Sequence, residues 1–196
     1  MGQSKAFVAW QAGRAEQIDR MERVHREITG ARAGRRWESE HLNGAIIARI
    51  VAEFQGFARD LHDEATDHVV GCLRITDPGL RALTRAAYNR GRALNSGNPT
   101  WNCLKDDFAR FELRLQDDMD ARYANSAKWR QRLDEVIFTR NAVVHADEDK
   151  LTRCRADGRL TLHRARSWRS SLNAMAAGMD RVTGAHLALL TGVRPW

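Results

Sequence analysis

A chain of 196 residues that is 43% hydrophobic is long enough for one packed core and too apolar for wholesale disorder. Its formal charge of +7 rests almost wholly on arginine, the lysines being Lys5, Lys105, Lys128 and Lys150. Guanidinium groups clamp phosphates and stack on bases, so the balance favours a nucleic-acid partner, with an arginine bias from a GC-rich genome as the equal alternative.

Residues Lys5 to Ile28 read as a first helix with Phe7, Trp10, Ile18, Met21, Val24 and Ile28 as its buried stripe. Gly30 to Arg36 is a basic connector, read as a solvated loop ahead of an RNA-contacting arm. Ser39 caps a long second helix to about Val70, with Leu42, Ile46, Ile50, Phe54, Phe57, Leu61, Ala65 and Val69 as the central core stripe. Asp77-Pro78 opens a third helix to about Leu94, with Leu80, Leu83 and Ala87 inward. Asn95 to Pro99 is loop chemistry. A fourth helix spans about Asn102 to Tyr123, and a fifth runs from Asn125 to the region of His145. Glu148 to Arg166 is expected as a loop. The last helix begins near Ser167 and buries Trp168, Leu172, Met175, Met179, Val182 and Leu189. About six helices with no convincing strand predict an all-α, up-down bundle in a single domain over 1–196. Residues 1–36 form its N-terminal helix and connector, and residues 38–190 its core.

No apolar run reaches transmembrane length, and no signal-peptide core follows the N-terminus. Cys72, Cys103 and Cys154 are odd in number and far apart, with no CxxC, which argues against a disulfide scaffold or a zinc ribbon. A cytoplasmic protein without a membrane partner is expected.

The fifth helix carries the one constellation with a chemical reading, Arg140-Asn141-Ala142-Val143-Val144-His145. Trp129, Leu133, Val136, Val143 and Val144 define its apolar stripe, and Arg140 falls near the middle of that stripe. A charge there needs a partner or a polar cavity. Asn141 and His145 are four apart and share a second face with Phe138 and Asp134.

Arg-Asn-x-x-x-His at the end of a helix, late in an all-helical chain, resembles the signature of the HEPN superfamily. That signature is an Arg, usually a polar residue next to it, then His after four to six intervening positions. The long second helix with Glu53 to Leu61 is similar to the early long helix of small stand-alone HEPN proteins, and the resemblance covers roughly Glu38 to Leu190. It implies a homodimeric, metal-independent endoribonuclease that needs no cofactor, often a toxin or antiphage effector with an antitoxin or defence partner. Some members are silent modules that bind RNA or a protein. Family members controlled by a nucleotidyltransferase antitoxin carry a Tyr two places after the His. Ala146 and Asp147 follow here, so the resemblance does not extend to that control.

The residues then take roles. RNA supplies its own nucleophile, the 2′-hydroxyl, so cleavage needs a proton acceptor, a proton donor and charge stabilisation rather than a metal. His145 is the proton-transfer candidate, Arg140 the cation for the non-bridging oxygens, and Asn141 an orienting hydrogen-bond group. Arg153 and Arg155 are candidate RNA contacts, and Asp60 and Asp134 candidate supporting carboxylates. Arg59 is another candidate supporting residue, though it reads better as part of a surface ion pair. One imidazole serves poorly as both acid and base, and two protomers sharing a cleft would relieve that. The bland alternative pairs Arg140 with a buried carboxylate and makes His145 a helix cap.

Other chemistry is weaker. His62, Asp63, Glu64, Asp67 and His68 have metal-binding side chains but no ligand spacing, and read better as an acidic helix end. His186 reads as a packed histidine, while His41 and His163 are isolated. No Walker loop, G-x-G-x-x-G or nucleophile elbow occurs.

Overall fold

The computed structural model describes residues 2–30 and 37–196. Most of the expected basic connector, residues 31–36, lies outside the described residues. Every regular element among the described residues is helical: α1 (Lys5–Ala9), a π-helical turn (Trp10–Arg14), α2 (Ala15–Thr29), α3 (Trp37–Cys72), α4 (Pro78–Asn89), α5 (Trp101–Phe108), α6 (Leu115–Arg122), α7 (Ser126–Val144), α8 (Glu148–Ala156) and α9 (Leu162–Thr191). None is long and apolar enough to cross a membrane. Because α1, the π turn and α2 follow without a break, the described residues form eight helical units rather than six. The expected fourth helix is interrupted by a tight turn at Ala109–Phe111 and by Glu112 in the left-handed region at φ 59°. The expected loop after the motif is instead α8, capped by the Asp147 carboxylate on the Lys150 N–H at 3.1 Å and anchored by buried Leu151 and Cys154.

The core forms where α3, α7 and α9 pack together. Ile46, Ile50, Phe54, Phe57, Leu61 and Ala65 of α3 are all buried, as their spacing predicts. Trp168, Leu172, Met175, Met179 and Val182 of α9 face them. Each large side chain so buried contributes about 1.5–3 kcal/mol. The last expected member, Leu189, is 85% exposed, and Leu187 takes its place inside. α3 and α9 run in the same direction, joined at one end by Asn43 to the Leu160 carbonyl (3.0 Å) and at the other by His68 to Thr191 (2.9 Å). α7 runs opposite to α9: Trp168 donates to Glu135 at 3.1 Å, while Gly178, further along α9, lies against Met119 and Tyr123 ahead of α7.

The first helix departs from its expected face for a local reason. Phe7, Trp10 and Ile18 are buried, but Val24 and Ile28 are exposed, and Glu22, His25 and Thr29 are buried in their place. The wide π turn delays the rotation of the helix, so the inward face beyond it runs one position later. The polar face is served by ion pairs of Glu22 with Arg166 (2.8 Å) and Arg169 (3.5 Å). The turn also aims Arg14 across α3, where it bridges Glu53 (2.7 Å) and Asp60 (2.6 Å), two turns apart on one face. Gly56 lies between them and keeps the slot open, since a Cβ there would stand 2.2 Å from Arg14 Nη1.

α4 also differs from expectation. It buries no residue, and Leu80 and Leu83 lie in solvent. The helix is held from its other side, by Tyr88 stacked on Phe111 at 5.4 Å and by Arg85 paired with Asp67 at 3.0 Å.

Candidate functional site

The motif helix is fixed before its motif begins. Leu133, Val136 and Ile137 are buried, and Glu135 is clamped by Trp168 and by Arg132 at 2.7 Å. Beyond them the buried positions are Thr139 and Ala142, whereas Trp129 and Val143 are half-buried and Val144 is exposed. α7 is wedged between α3, α8 and α9, so small residues pass inward where a valine seam was expected. Val143 instead meets α3 at Gly44, where a Cβ would stand 3.0 Å from its Cγ1.

Arg140 is half-buried and forms no ion pair among the described residues. Its Nη1 donates to the Asn141 side-chain oxygen at 3.0 Å, and Asn98 Nδ2 donates to the same oxygen at 3.0 Å. Both lone pairs of that amide oxygen are thereby engaged, which sets the amide's orientation and leaves its NH₂ as the free end. Asn98 is itself held firmly. Gln55 of α3 donates to the carbonyls of Leu94 (2.8 Å) and Gly97 (2.7 Å), and Asp107 accepts from the Ala93 and Leu94 N–H groups at 2.9 Å. The sequence marks Asn98 only as part of a loop. Nothing local signals a contact that spans 43 positions of chain.

His145 occupies the C-cap of α7. Its N–H donates to the Asn141 carbonyl at 3.0 Å, and its side chain is exposed without a hydrogen-bond partner among the described residues. The next two residues close the helix. Ala146 adopts φ 49°, Asp147 N–H reaches back to the Ala142 carbonyl at 3.1 Å, and Ala146 N–H to Val143 at 3.3 Å. This is a Schellman closure with alanine where glycine is usual. The tight reversal into α8 leaves His145 projecting at the corner, one turn beyond Asn141 on the same face.

The remaining candidates divide. Arg153 is exposed and free of ion pairs among the described residues. Arg155, expected beside it as an RNA contact, is held by Glu40 (2.8 Å) and Glu148 (3.2 Å), and these carboxylates raise its pKa further. Asp60 is taken by Arg14. Asp134 has no hydrogen-bond or ion-pair partner among the described residues, and loss of solvent around its carboxyl pushes its pKa up. Among the described residues Arg59 lends its carbonyl to Arg92 at 3.3 Å and its side chain forms no ion pair.

The cluster of metal-type residues late in α3 is not a loose acidic end. His62 is fully buried, with Nε2 on the Asp107 carbonyl at 3.2 Å and Nδ1 facing Arg92 at 3.2 Å. Asp63 pairs with Arg92 at 2.8 Å, and Glu64 accepts from the first amides of α1. Asp67 pairs with Arg85, and His68 meets Thr191. His62 and Asp63 share Arg92, and the other three hold separate neighbours. His186 is likewise packed, its Nε2 2.6 Å from the Phe111 carbonyl.

No protein-family model matches the chain, and neither a curated protein nor a solved structure matches it.

Proposed function

We propose that the chain is a HEPN-like, metal-independent endoribonuclease that acts as a homodimer. In this reading the 2′-hydroxyl of RNA attacks the adjacent phosphorus and the 5′-oxygen of the next nucleotide leaves. The products are a 2′,3′-cyclic phosphate and a 5′-hydroxyl. His145 transfers a proton, Arg140 neutralises the charge that builds on the non-bridging oxygens, and the free NH₂ of Asn141 donates to the same phosphate. Arg153 receives the flanking backbone. Two copies of the motif across a two-fold axis supply the separate acid and base. A role as a toxin or defence effector, with a partner protein that restrains it, belongs to the same proposal.

The observation that carries the reading is the state of Arg140. A half-buried guanidinium with a single neutral hydrogen-bond partner among the described residues leaves most of its N–H donors unused by them, a state that suits an anion arriving from outside. The alternative that buries it against a carboxylate lacks that carboxylate among the described residues. A second reading, a silent module that binds RNA or a protein without cutting, is favoured by one feature: the Asn141 oxygen is committed to Arg140 and Asn98, and nothing among the described residues orients the His145 ring. Purified protein incubated with RNA in EDTA separates the two. Cleavage to cyclic-phosphate ends with DNA left intact is expected, from a species that sediments as a dimer. Cleavage abolished by chelation would overturn the mechanism, and binding without cleavage would select the silent module.

A further inference from the structure

The end of α6, the later half of α9, Gly2 and residues 194–196 line an open cleft of about 410 Å³. Three arginines line it: Arg122, Arg181 and Arg194. None of them forms a hydrogen bond or ion pair among the described residues. The side-chain carboxylates nearest in sequence accept their hydrogen bonds from other groups, although Asp180 still feels the charge of Arg181 through space. Asp180 is 2% exposed and accepts from the Ser4 N–H at 3.1 Å, and Asp120 is held by Arg130 and Ser126.

The rest of the lining is mostly apolar. Ala185, Ala188 and Leu189 come from α9, and Trp196 joins them in the lining. The indole lies directly on the α9 backbone at Gly184, where a Cβ would stand 2.8 Å from its Nε1. Gly2 meets the Trp196 backbone just as closely, with a Cβ position 2.4 Å from the carbonyl carbon. Three like charges around one concavity repel one another, and apolar walls strengthen the field they share, so the site favours a multiply charged anion. A simple inorganic anion would leave the apolar wall and the indole uncovered. The volume falls within the range of small-molecule pockets, about 300–1,000 Å³.

We propose that this cleft binds a nucleoside phosphate with two or more negative charges, its base on the wall formed by Ala185, Ala188 and Trp196 and its phosphates on Arg122, Arg181 and Arg194. Guanidinium groups suit both parts, gripping phosphate oxygens in a fork and stacking on planar rings. The site is distinct from the motif. Arg122 ends α6, four positions before the first residue of α7, and His145 follows the last; the 19 residues of α7 alone span roughly 28 Å at the rise of an α-helix.

Calorimetric titration of the intact protein with ADP, pyrophosphate and adenosine, in EDTA at low salt, tests this. ADP is expected to bind with one-to-one stoichiometry, at least about tenfold tighter than pyrophosphate or adenosine. Arg181→Ala and Arg194→Ala should each weaken ADP by about tenfold or more, the usual loss for a hydrogen bond to a charged group. Trp196→Ala should weaken ADP and leave pyrophosphate unchanged, and Arg23→Ala on α2 should change neither. Circular dichroism identical to wild type establishes that each variant is folded. No saturable ADP binding at millimolar concentration overturns the proposal. So does pyrophosphate binding as tight as ADP, or wild-type affinity in both arginine variants.

Discussion

Arg140 and Asn98 both donate to the Asn141 side-chain oxygen, and each bond has a separate consequence. If the proposed chemistry holds, Arg140→Ala and His145→Ala each lower single-turnover RNA cleavage by about 10²–10⁴-fold, the usual effect of removing one acid–base or charge-stabilising group. Neither substitution strands a buried carboxylate, so helix content and Tm should stay close to wild type. Asn98→Ala removes one of two donors to Asn141 and lets the amide rotate. A smaller loss is expected there, of about tenfold, in cleavage rate more than in RNA affinity. Wild-type cleavage by His145→Ala would make His145 a helix cap and nothing more. Unfolding of Arg140→Ala would mean that its single hydrogen bond matters more to the fold than to an arriving anion.

At the scale of elements, the end of α7 stores a definite strain. Ala146 sits in the left-handed region at φ 49°, where a Cβ costs roughly 1–2 kcal/mol. Glycine has no such steric cost there but loses more freedom on folding. Ala146→Gly should therefore stabilise the protein by about 0.5–1 kcal/mol in urea unfolding, with cleavage unchanged because the Schellman hydrogen bonds are backbone groups. A destabilised variant would show that the alanine methyl makes a compensating contact. The Arg-to-His spacing that this turn follows is legible in the sequence, as are the stripes of α3 and α9, because long regular helices packed on one face print their period directly. Three elements are not legible. The face of α2 is misread because a π turn shifts phase without a residue type to announce it. The stripe of α4 has the right period, but Tyr88 on Phe111 and Arg85 on Asp67 hold the opposite side. α8 is missed because its cap, Asp147, adjoins the motif and its buried residues are only Leu151 and Cys154 within a charged run. Asn98 is invisible for a different reason: its role comes from tertiary structure alone.

For the whole molecule, stability should fall in mild acid, and His62 gives the direction. The ring is sealed between Phe108 and Phe111, with centroids at 5.6 and 4.8 Å. Nε2–H donates to the Asp107 carbonyl, and Nδ1 accepts from the Arg92 guanidinium. A second proton would have to enter at Nδ1, facing a cation and out of reach of water. Burial first, and then Arg92, hold the pKa of the folded state at about 4, against 6.5 for a free histidine. Above pH 6.5 the ring is neutral in both states and its contribution to stability is complete. Between 6.5 and 4 the unfolded chain takes up a proton that the folded chain refuses, so stability declines; below 4 the loss levels off. At about 1.4 kcal/mol for each tenfold difference in proton affinity between the two states, the full loss is about 3 kcal/mol. Burial lowers the pKa of His68, so its effect has the same sign. Urea midpoints measured between about pH 7 and pH 4.5 should fall steadily in the wild type. In His62→Gln, whose amide can still donate to the Asp107 carbonyl and accept from Arg92, the decline should be markedly shallower, although the variant starts from a lower midpoint at neutral pH. Equal slopes for the two proteins would mean that the folded chain opens to protonate His62, and that the packing of Phe108 and Phe111 around the ring is weaker than its geometry indicates.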